Sequence, residues 1–395
     1  MLRQASPASV RRSCRTLDPT GGSRSIRLMR QFKSALVLLL VGASAFVKAE
    51  SDAMDVQVAL ERLAAEHHVC GVTVALIRNR SLGTIHTANG CQPVLDVTAE
   101  STFQAASLGK PVFAYAVLQM AAQGKLSLDE PLTHYLPNGY VHQQSPYRAS
   151  SVPSSNQAVD PRLGKITARM VLNHTAGLPN WSANPLSLLS DPGTMWQYSG
   201  AGYVLLQRVV EAITGEPLDQ FMESRLFERA HMERSGYVWS DRVAKEFVPA
   251  FAADGKAAKT KEFTAPIAAS SLYTSAADYA RFVVVLLNDA PLLGQSIEAP
   301  VSADASLELS WGLGWGIERT GEDLFIWHWG SNPGYRAFVV ASVRTGNGFV
   351  MFTDSDEGLA LAGPISALAV PGAHRMFRFR MLNPSLPCKT LGLCS

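Results

Sequence analysis

The sequence has 395 residues, of which 47% are hydrophobic and 17% are charged. This composition allows a large buried core and excludes a chain that is disordered throughout. The formal net charge is +2, but residues 1–49 hold nine of the 35 Lys and Arg and one of the 33 Asp and Glu. The rest of the chain therefore carries 26 basic and 32 acidic residues, a net charge of −6, so we expect no nucleic-acid partner.

The first predicted element is a leader and signal peptide over residues 1–49. Residues 29–33 are basic, residues 35–47 are apolar, and Val47-Lys48-Ala49 supplies the small residues that signal peptidase reads. Residues 1–28 precede a complete signal, which suggests that translation starts at Met29. The apolar run is shorter than the roughly 20 residues that span a bilayer. We therefore predict a periplasmic or secreted protein without a stable membrane anchor.

A helix and a hairpin follow the leader. Apolar residues at helical spacing predict a helix over residues 55–66: Val56, Val58, Leu60, Leu63 and Ala64. Residues 70–77 and 83–87 predict two strands joined by a turn at residues 79–82.

Four cysteines remain after the leader, and an exported chain folds where disulfides persist. Reflecting the hairpin about its turn brings Cys70 opposite Cys91, so we predict that pair. Cys388 and Cys394 would close a small C-terminal loop. Unpaired or differently paired thiols remain the alternative, because four cysteines allow three connectivities.

The next extended segment, residues 101–105, meets a buried helix that begins near Ser107 and runs to residue 122. Ser107-Leu108-Gly109-Lys110 is the only Ser-x-x-Lys in the chain. Residues i and i+3 share a helix face, so the Lys110 amine can approach the Ser107 hydroxyl. A lysine with a pKa depressed by burial could then accept the serine proton. The alternative is a serine N-cap beside a solvated lysine.

The middle of the chain, residues 129–261, reads as helices and loops, with helices over residues 202–213 and 218–229 and a polar loop over residues 143–160. Tyr198 lies in a loop just before the first of these helices. A tyrosine near Lys110 could share its proton and return one to a leaving group. An aromatic residue at a helix start is otherwise more typical of packing.

The last third of the chain predicts a strand meander and a final helix. The strands cover residues 313–318, 324–328, 335–343 and 348–353, and the helix covers residues 359–370. We predict an α/β fold in which an antiparallel sheet is flanked by helices and carries an inserted all-helical domain. The predicted sheet domain comprises residues 50–128 and 262–375, the helical domain residues 129–261, and the tail residues 376–395.

His328-Trp329-Gly330 ends the predicted strand 324–328 and is followed by Ser331. A strand end beside a helix N-terminus can direct a backbone N–H at a substrate oxygen, and Gly330 would let the substrate lie close. Two other basic-x-Gly segments, Arg319-Thr320-Gly321 and Arg344-Thr345-Gly346, fall between strands and are more typical of hairpin turns.

Other catalytic signatures are missing from the sequence. It has no Gly-x-Ser-x-Gly and no His-Glu-x-x-His. His67-His68 lacks the neighbouring Asp or third His of a zinc site, so we predict a surface position for that pair. We expect no metal and no organic cofactor.

The three segments, in this order, resemble those of class C serine β-lactamases and the related D-alanyl-D-alanine carboxypeptidases and esterases. The likeness extends to residues 170–178, 271–282 and 312–316. It implies a β-lactamase/transpeptidase-like fold with the site between the sheet and helical domains. It also implies Ser107 as nucleophile, Lys110 and Tyr198 as base and proton relay, and the N–H groups of Ser107 and Ser331 as oxyanion hole.

The sequence departs from that family at two places that bind substrate. Gly200 stands where class C enzymes usually have an Asn that would hold an acyl amide. His328 replaces the usual Lys of the third motif, which would make the charge facing a substrate carboxylate depend on pH. Trp329 would crowd or stack on a substrate.

These features predict an exported, monomeric serine hydrolase that acts on an amide, β-lactam or ester carbonyl of a small or peptidoglycan-derived molecule. A penicillin-binding D-alanyl-D-alanine carboxypeptidase and a carboxylesterase are the alternatives. A non-catalytic sensor is disfavoured by the intact Ser107, Lys110 and Tyr198.

Overall fold

The computed structural model describes residues 55–91, 96–142, 160–181, 186–251 and 256–382. The predicted leader, the Met29 start, most of the polar loop 143–160 and the Cys388–Cys394 pair lie outside the described residues.

In the part of the chain that the structure describes, ten strands form one large and one small antiparallel sheet. They are β1 (Val72–Arg78), β2 (Ser81–Ala88), β3 (Phe103–Ala106), β4 (Leu272–Thr274), β5 (Val301–Asp304), β6 (Leu309–Trp311), β7 (Gly316–Thr320), β8 (Asp323–Asn332), β9 (Tyr335–Ser342) and β10 (Gly348–Thr353). The large sheet has the order β2-β1-β10-β9-β8-β7-β6-β5, and β3 pairs with β4. Strands β9 and β10 are buried almost throughout, as expected for strands covered on both faces.

Nine α-helices surround the sheet in the described residues. They are α1 (residues 55–66), α2 (Gly109–Ala122), α3 (Ala168–Leu172), α4 (Gly200–Thr214), α5 (Leu218–Met222), α6 (Asp241–Ala244), α7 (Ala276–Asn288), α8 (Ala290–Ile297) and α9 (Ala362–Ala369). Helices α2, α4 and α7 pack in the core on one face of the sheet. Helices α1 and α9 pack in a second core on the opposite face. Among the described residues, no helix is both long and apolar enough to cross a membrane.

The predicted α1 and the hairpin β1–β2 are confirmed. The apolar residues that predicted α1 are buried except Val58, which is 60% exposed. The hairpin turns at Asn79 and Arg80, both with positive φ, and this twist suits a two-residue turn between antiparallel strands. The predicted Cys70–Cys91 disulfide is present.

The antiparallel sheet with flanking helices is also confirmed, with two differences. Strand β8 continues to Asn332, so His328-Trp329-Gly330 lies inside the strand rather than at its end. Strands β4, β5 and β6 and helices α7 and α8 were not predicted. The described part of residues 129–261 contains three short α-helices, the 15-residue helix α4 and loops, but no named strand; the domain boundaries stay a prediction.

Candidate active site

Ser107 lies between β3 and α2, at a break in regular backbone geometry. Ala106 has a φ of 52°, and the pairing of β3 with β4 shifts register between Gln104 and Ala106. Helix α2 is capped by Leu108, without a side-chain hydrogen bond. Ser107 is therefore not the N-cap that the sequence left as an alternative, and its hydroxyl is available to Lys110.

Lys110 is the candidate base that would accept the Ser107 proton. Its Nζ lies 2.9 Å from Ser107 Oγ and donates a hydrogen bond of 2.7 Å to the Ala269 carbonyl oxygen. The side chain is only 1% exposed, and this burial lowers the pKa of Lys110 to about 7. A large fraction of the amine is therefore neutral near pH 7, as a general base requires.

Two buried tyrosines hold the start of α2. Tyr279 Oη donates 2.9 Å to the Leu108 carbonyl, and Tyr237 Oη donates 2.8 Å to the Gly109 carbonyl. Both tyrosines are fully buried. The backbone that carries Ser107 and Lys110 is thus fixed by hydrogen bonds from outside the helix, which supports preorganised chemistry at this point.

Tyr198 lies beside this pair, just before α4. Lys110 Nζ is 4.9 Å from the centroid of the Tyr198 ring. Burial raises the pKa of Tyr198 above its usual range, and the Ser107 hydroxyl opposes part of that rise. The two hydroxyls do not meet hydrogen-bond geometry, and Tyr198 Oη has no hydrogen-bond partner among the described residues. The phenol is therefore protonated and available as a donor.

Strand β8 passes directly beside the segment that leads to Ser107. A Cβ added at Gly330 would overlap the Ala105 carbonyl oxygen, so only glycine permits this approach. The following residue, Ser331, is exposed. The structure thus brings Ser107, Lys110, Tyr198 and the Gly330-Ser331 segment together. The two competing basic-x-Gly segments do form hairpin turns, with Gly321 and Gly346 at positive φ.

The expected pH-dependent charge at His328 is wrong. His328 is fully buried, and its Nδ1 lies 2.7 Å from the Trp329 carbonyl oxygen. Because a carbonyl only accepts, Nδ1 carries the proton and Nε2 is unprotonated in the neutral ring. Burial, followed by the nearby Lys110, lowers the pKa of His328 to about 3. The ring is therefore neutral at physiological pH.

Trp329 and Gly200 also lie away from the expected substrate positions. Trp329 is 4% exposed and packs against the Tyr198 ring at 5.0 Å, so it supports Tyr198 instead of meeting substrate. The Gly200 N–H donates 3.1 Å to Asn180 Oδ1, and a Cβ there would meet Asn180 and Trp181. Gly200 is thus covered by the Asn180-Trp181 segment.

Sequence reasoning missed two contributors to the site. The Ala269 carbonyl anchors the Lys110 amine, and nothing local in the sequence marks it. His174 is fully buried with its ring 4.5 Å from the Tyr198 ring; a histidine two residues after the short helix α3 was the available signal. Among the described residues, no group of three His, Cys, Asp or Glu side chains could hold a metal ion.

Sequence comparison finds relatives with different named activities. The family model described as Beta-lactamase matches residues 55–369. Penicillin-binding protein 4 from Amycolatopsis lactamdurans is 24% identical over 317 residues, which cover 70% of this chain and 76% of that protein. Esterase EstB from Burkholderia gladioli is 29% identical over 171 residues, which cover 35% of this chain and 39% of the esterase.

Solved structures share the fold. The D-amino acid amidase from Ochrobactrum anthropi SV3 has a TM-score of 0.67 at 19% identity, covering 80% of this chain and 97% of the amidase. The β-lactamase/D-alanine carboxypeptidase from Pseudomonas syringae has a TM-score of 0.67 at 17% identity, covering 82% and 99%. At these identities the likeness concerns the fold alone.

Proposed function

The chain belongs to the beta-lactamase family of serine hydrolases, and from this premise we propose that it hydrolyses a small ester or amide through an acyl-enzyme on Ser107. The observation that carries the proposal is the buried Lys110 amine, 2.9 Å from the Ser107 hydroxyl. A serine hydroxyl becomes an effective nucleophile only when a neighbouring base removes its proton. Lys110, with a pKa lowered to about 7, is suited to that role at neutral pH.

In the acylation step, the Ser107 proton moves to the Lys110 amine as the serine oxygen bonds to the substrate carbonyl carbon. The carbonyl oxygen becomes an oxyanion, which the backbone N–H groups of Ser107 and Ser331 would stabilise. The position of Ser107 at the start of α2 supports this, since the partial positive charge of a helix N-terminus favours an anion there.

Breakdown of this intermediate needs a proton for the leaving group. Tyr198 is the donor, because burial keeps its phenol protonated. As the carbonyl–leaving-group bond breaks, Tyr198 gives up its proton and recovers one from the Lys110 ammonium. A water molecule then attacks the acyl-enzyme, and its proton passes to Lys110. Lys110 returns this proton to the departing Ser107 oxygen, which restores the free enzyme.

We also propose that the protein works outside the cytoplasm. The predicted leader carries this proposal, and the Cys70–Cys91 disulfide supports it, because structural disulfides persist mainly in oxidising compartments. N-terminal sequencing of the mature protein from cell fractions tests it. A cytoplasmic product that still begins at residue 1 or 29 would contradict it.

The central experiment compares wild type with Ser107→Ala. Each protein is mixed separately with phenyl acetate, with a fluorophosphonate and with a fluorescent penicillin, and the intact mass of the protein is followed with time. We expect a covalent adduct on the wild type and none on Ser107→Ala, with unchanged circular dichroism. Labelling of the Ser107→Ala protein would refute the assignment of the nucleophile.

A penicillin-binding carboxypeptidase is the second candidate, favoured by the match to penicillin-binding protein 4 over 70% of this chain. The same experiment separates the two. Rapid turnover of the ester supports the hydrolase, whereas a penicillin adduct that persists for hours without ester turnover favours the penicillin-binding function.

A further inference from the structure

His174 follows α3 in an unusual backbone conformation. Its φ is 59°, a region that non-glycine residues occupy rarely and at a cost, although histidine tolerates it better than most. The residue is fully buried, so it cannot touch a substrate. Such a conformation persists only when surrounding contacts hold it in place.

Those contacts are with the two residues on either side of Tyr198. The His174 carbonyl oxygen accepts a hydrogen bond of 2.7 Å from the Gln197 N–H. The His174 ring accepts a second at Nδ1, 3.1 Å from the Ser199 N–H. One residue therefore fixes the backbone immediately before and after the proposed proton donor.

The hydrogen bond from the Ser199 N–H to the imidazole ring also defines the protonation state of His174. A backbone N–H only donates, so Nδ1 must be unprotonated, and the proton of the neutral ring lies on Nε2. Burial, followed by Lys110 and His328, holds the pKa of His174 well below its usual range. Four aromatic rings face the imidazole, at centroid distances of 4.5, 5.4, 5.3 and 6.1 Å: those of Tyr198, Tyr203, Trp311 and Trp196. None of them carries a charge that would favour the imidazolium.

We infer that His174 is a positioning residue, whose Nδ1 acceptor fixes Tyr198 so that its phenol can deliver a proton to the leaving group. This inference rests on the proposed function, because it assigns a task within that reaction. Loss of the acceptor frees the Ser199 N–H and lets the Tyr198 backbone move. Proton transfer is sensitive to such displacement, since an ångström of misplacement can cost roughly 100-fold in rate.

Two substitutions test the hydrogen-bond acceptor and the aromatic ring of His174 separately. His174→Asn keeps an acceptor atom, Oδ1, on the same carbon and tolerates a positive φ, but it loses the ring. His174→Phe keeps a ring and loses the acceptor. If His174 only filled space, His174→Phe would be the milder change. If it positions Tyr198, His174→Asn is the milder one.

The measurement is kcat and KM for phenyl acetate, normalised to the fraction of molecules that a fluorophosphonate labels at Ser107. We expect His174→Asn to stay within about tenfold of wild type. For His174→Phe we expect kcat to fall roughly 100-fold while KM and labelling change little. We also expect its pH profile to keep the same inflection near pH 7, because Lys110 is untouched.

Equal kcat in the two variants, or a greater loss in His174→Asn, would overturn the inference. If His174→Phe does not fold, His174→Leu replaces it, since leucine matches asparagine in size and lacks the acceptor; the same order is expected. Failure of the proposed function looks different: wild type itself would then show neither a Ser107 adduct nor turnover.

Discussion

Lys110 is the residue whose protonation should govern the rate. Its pKa is lowered to about 7 by burial, and only the neutral amine can accept the Ser107 proton. We therefore predict that kcat/KM for phenyl acetate, which has no titrating group, rises about tenfold per pH unit below pH 7 and levels above it. A rate profile that is flat between pH 5.5 and 8.5 would contradict a lysine base.

A second prediction concerns His328, because its neutral ring offers no cation for a substrate carboxylate. The test compares phenyl acetate with 4-carboxyphenyl acetate, for which the Lys110 titration cancels in the ratio of kcat/KM values. An unperturbed histidine would pass from roughly 75% protonated at pH 6 to about 3% at pH 8. We expect the ratio to stay constant over that range, with no preference for the charged ester.

If the charged ester gained steadily as pH fell from 8 to 6, an imidazolium at His328 would be the simplest explanation, and the buried neutral ring would be wrong. His328→Gln is the matched control, since it is neutral at every pH. Its ratio should therefore be as independent of pH as that of wild type.

The sequence predicted Ser107, Lys110 and Tyr198 as candidates, and these three lie together. The first two are three residues apart in the chain at the start of α2, which is local information. The orientation of His328, Trp329 and Gly200 was not predictable in the same way. Trp329 and Gly200 are covered by Tyr198 and Asn180, and such contacts depend on how distant elements pack.

At the scale of elements, the approach of β8 to β3 aligns the site. Gly330 lies against the Ala105 carbonyl, and a Cβ there would overlap that oxygen. We predict that Gly330→Ala forces the strands apart, with a loss of roughly 1–3 kcal/mol in the free energy of unfolding and about 100-fold in kcat/KM. Urea unfolding and ester hydrolysis measure the two effects.

Gly294→Ala is the matched control for this substitution. Gly294 lies within α8, and a Cβ added there meets no atom within 4 Å. Alanine should therefore stabilise the helix by about 0.5–1 kcal/mol and leave kcat/KM unchanged. If the two alanine variants behaved alike, close contact at Gly330 would not be what aligns the site.

Strands and helices with a clear pattern in their own sequence were predicted, and those that depend on pairing with distant segments were not. The hairpin β1–β2 has a mostly apolar first strand and a turn sequence after it, whereas β5 and β6 span only four and three residues. Strand β8 extends to Asn332 because it pairs with β9 up to Tyr335, which the strand's own sequence does not reveal. Helix α7 had a usable signal, since Ser275 caps it by accepting from the Asp278 N–H.

Across the whole molecule, several buried ionisable groups link stability to pH with opposite signs. His174 and His328 have pKa values lowered by burial, so their contribution is present above pH 6.5 and lost as pH falls. Asp354 is fully buried, and burial raises its pKa to about 7. The unfolded aspartate ionises near ~3.9, so this group costs stability progressively as pH rises from about 4 to 7.

His374 has a raised pKa, so its contribution to stability changes with pH in the opposite direction to that of His174 and His328. His374 lies between two acceptors, with Nδ1 2.9 Å from Glu318 and Nε2 2.8 Å from the Val370 carbonyl. Burial opposes its charge, but these bonds outweigh burial and raise the pKa of His374. Its contribution is therefore fully present below pH 6.5 and is lost as pH rises above that value, so it stays constant between pH 4.5 and 6.

Between pH 4.5 and 6, unfolding should thus take up protons at His174 and His328 and release one from Asp354. The proton that Asp354 releases on unfolding makes the free energy of unfolding rise by roughly 1.4 kcal/mol for each unit of decreasing pH, so this group offsets part of the loss caused by the histidines. Asp354→Asn keeps an acceptor for the Gly71 N–H, which bonds Oδ1 at 2.7 Å, and removes the opposing term. In urea titrations the free energy of unfolding of the variant, relative to that of wild type, should therefore increase by roughly 1.4 kcal/mol per pH unit between pH 4.5 and 6, and it should continue to increase up to about pH 7. Parallel curves for the two proteins would mean that Asp354 is ionised in the folded state, since only a carboxyl that takes up a proton on folding can oppose the two histidines.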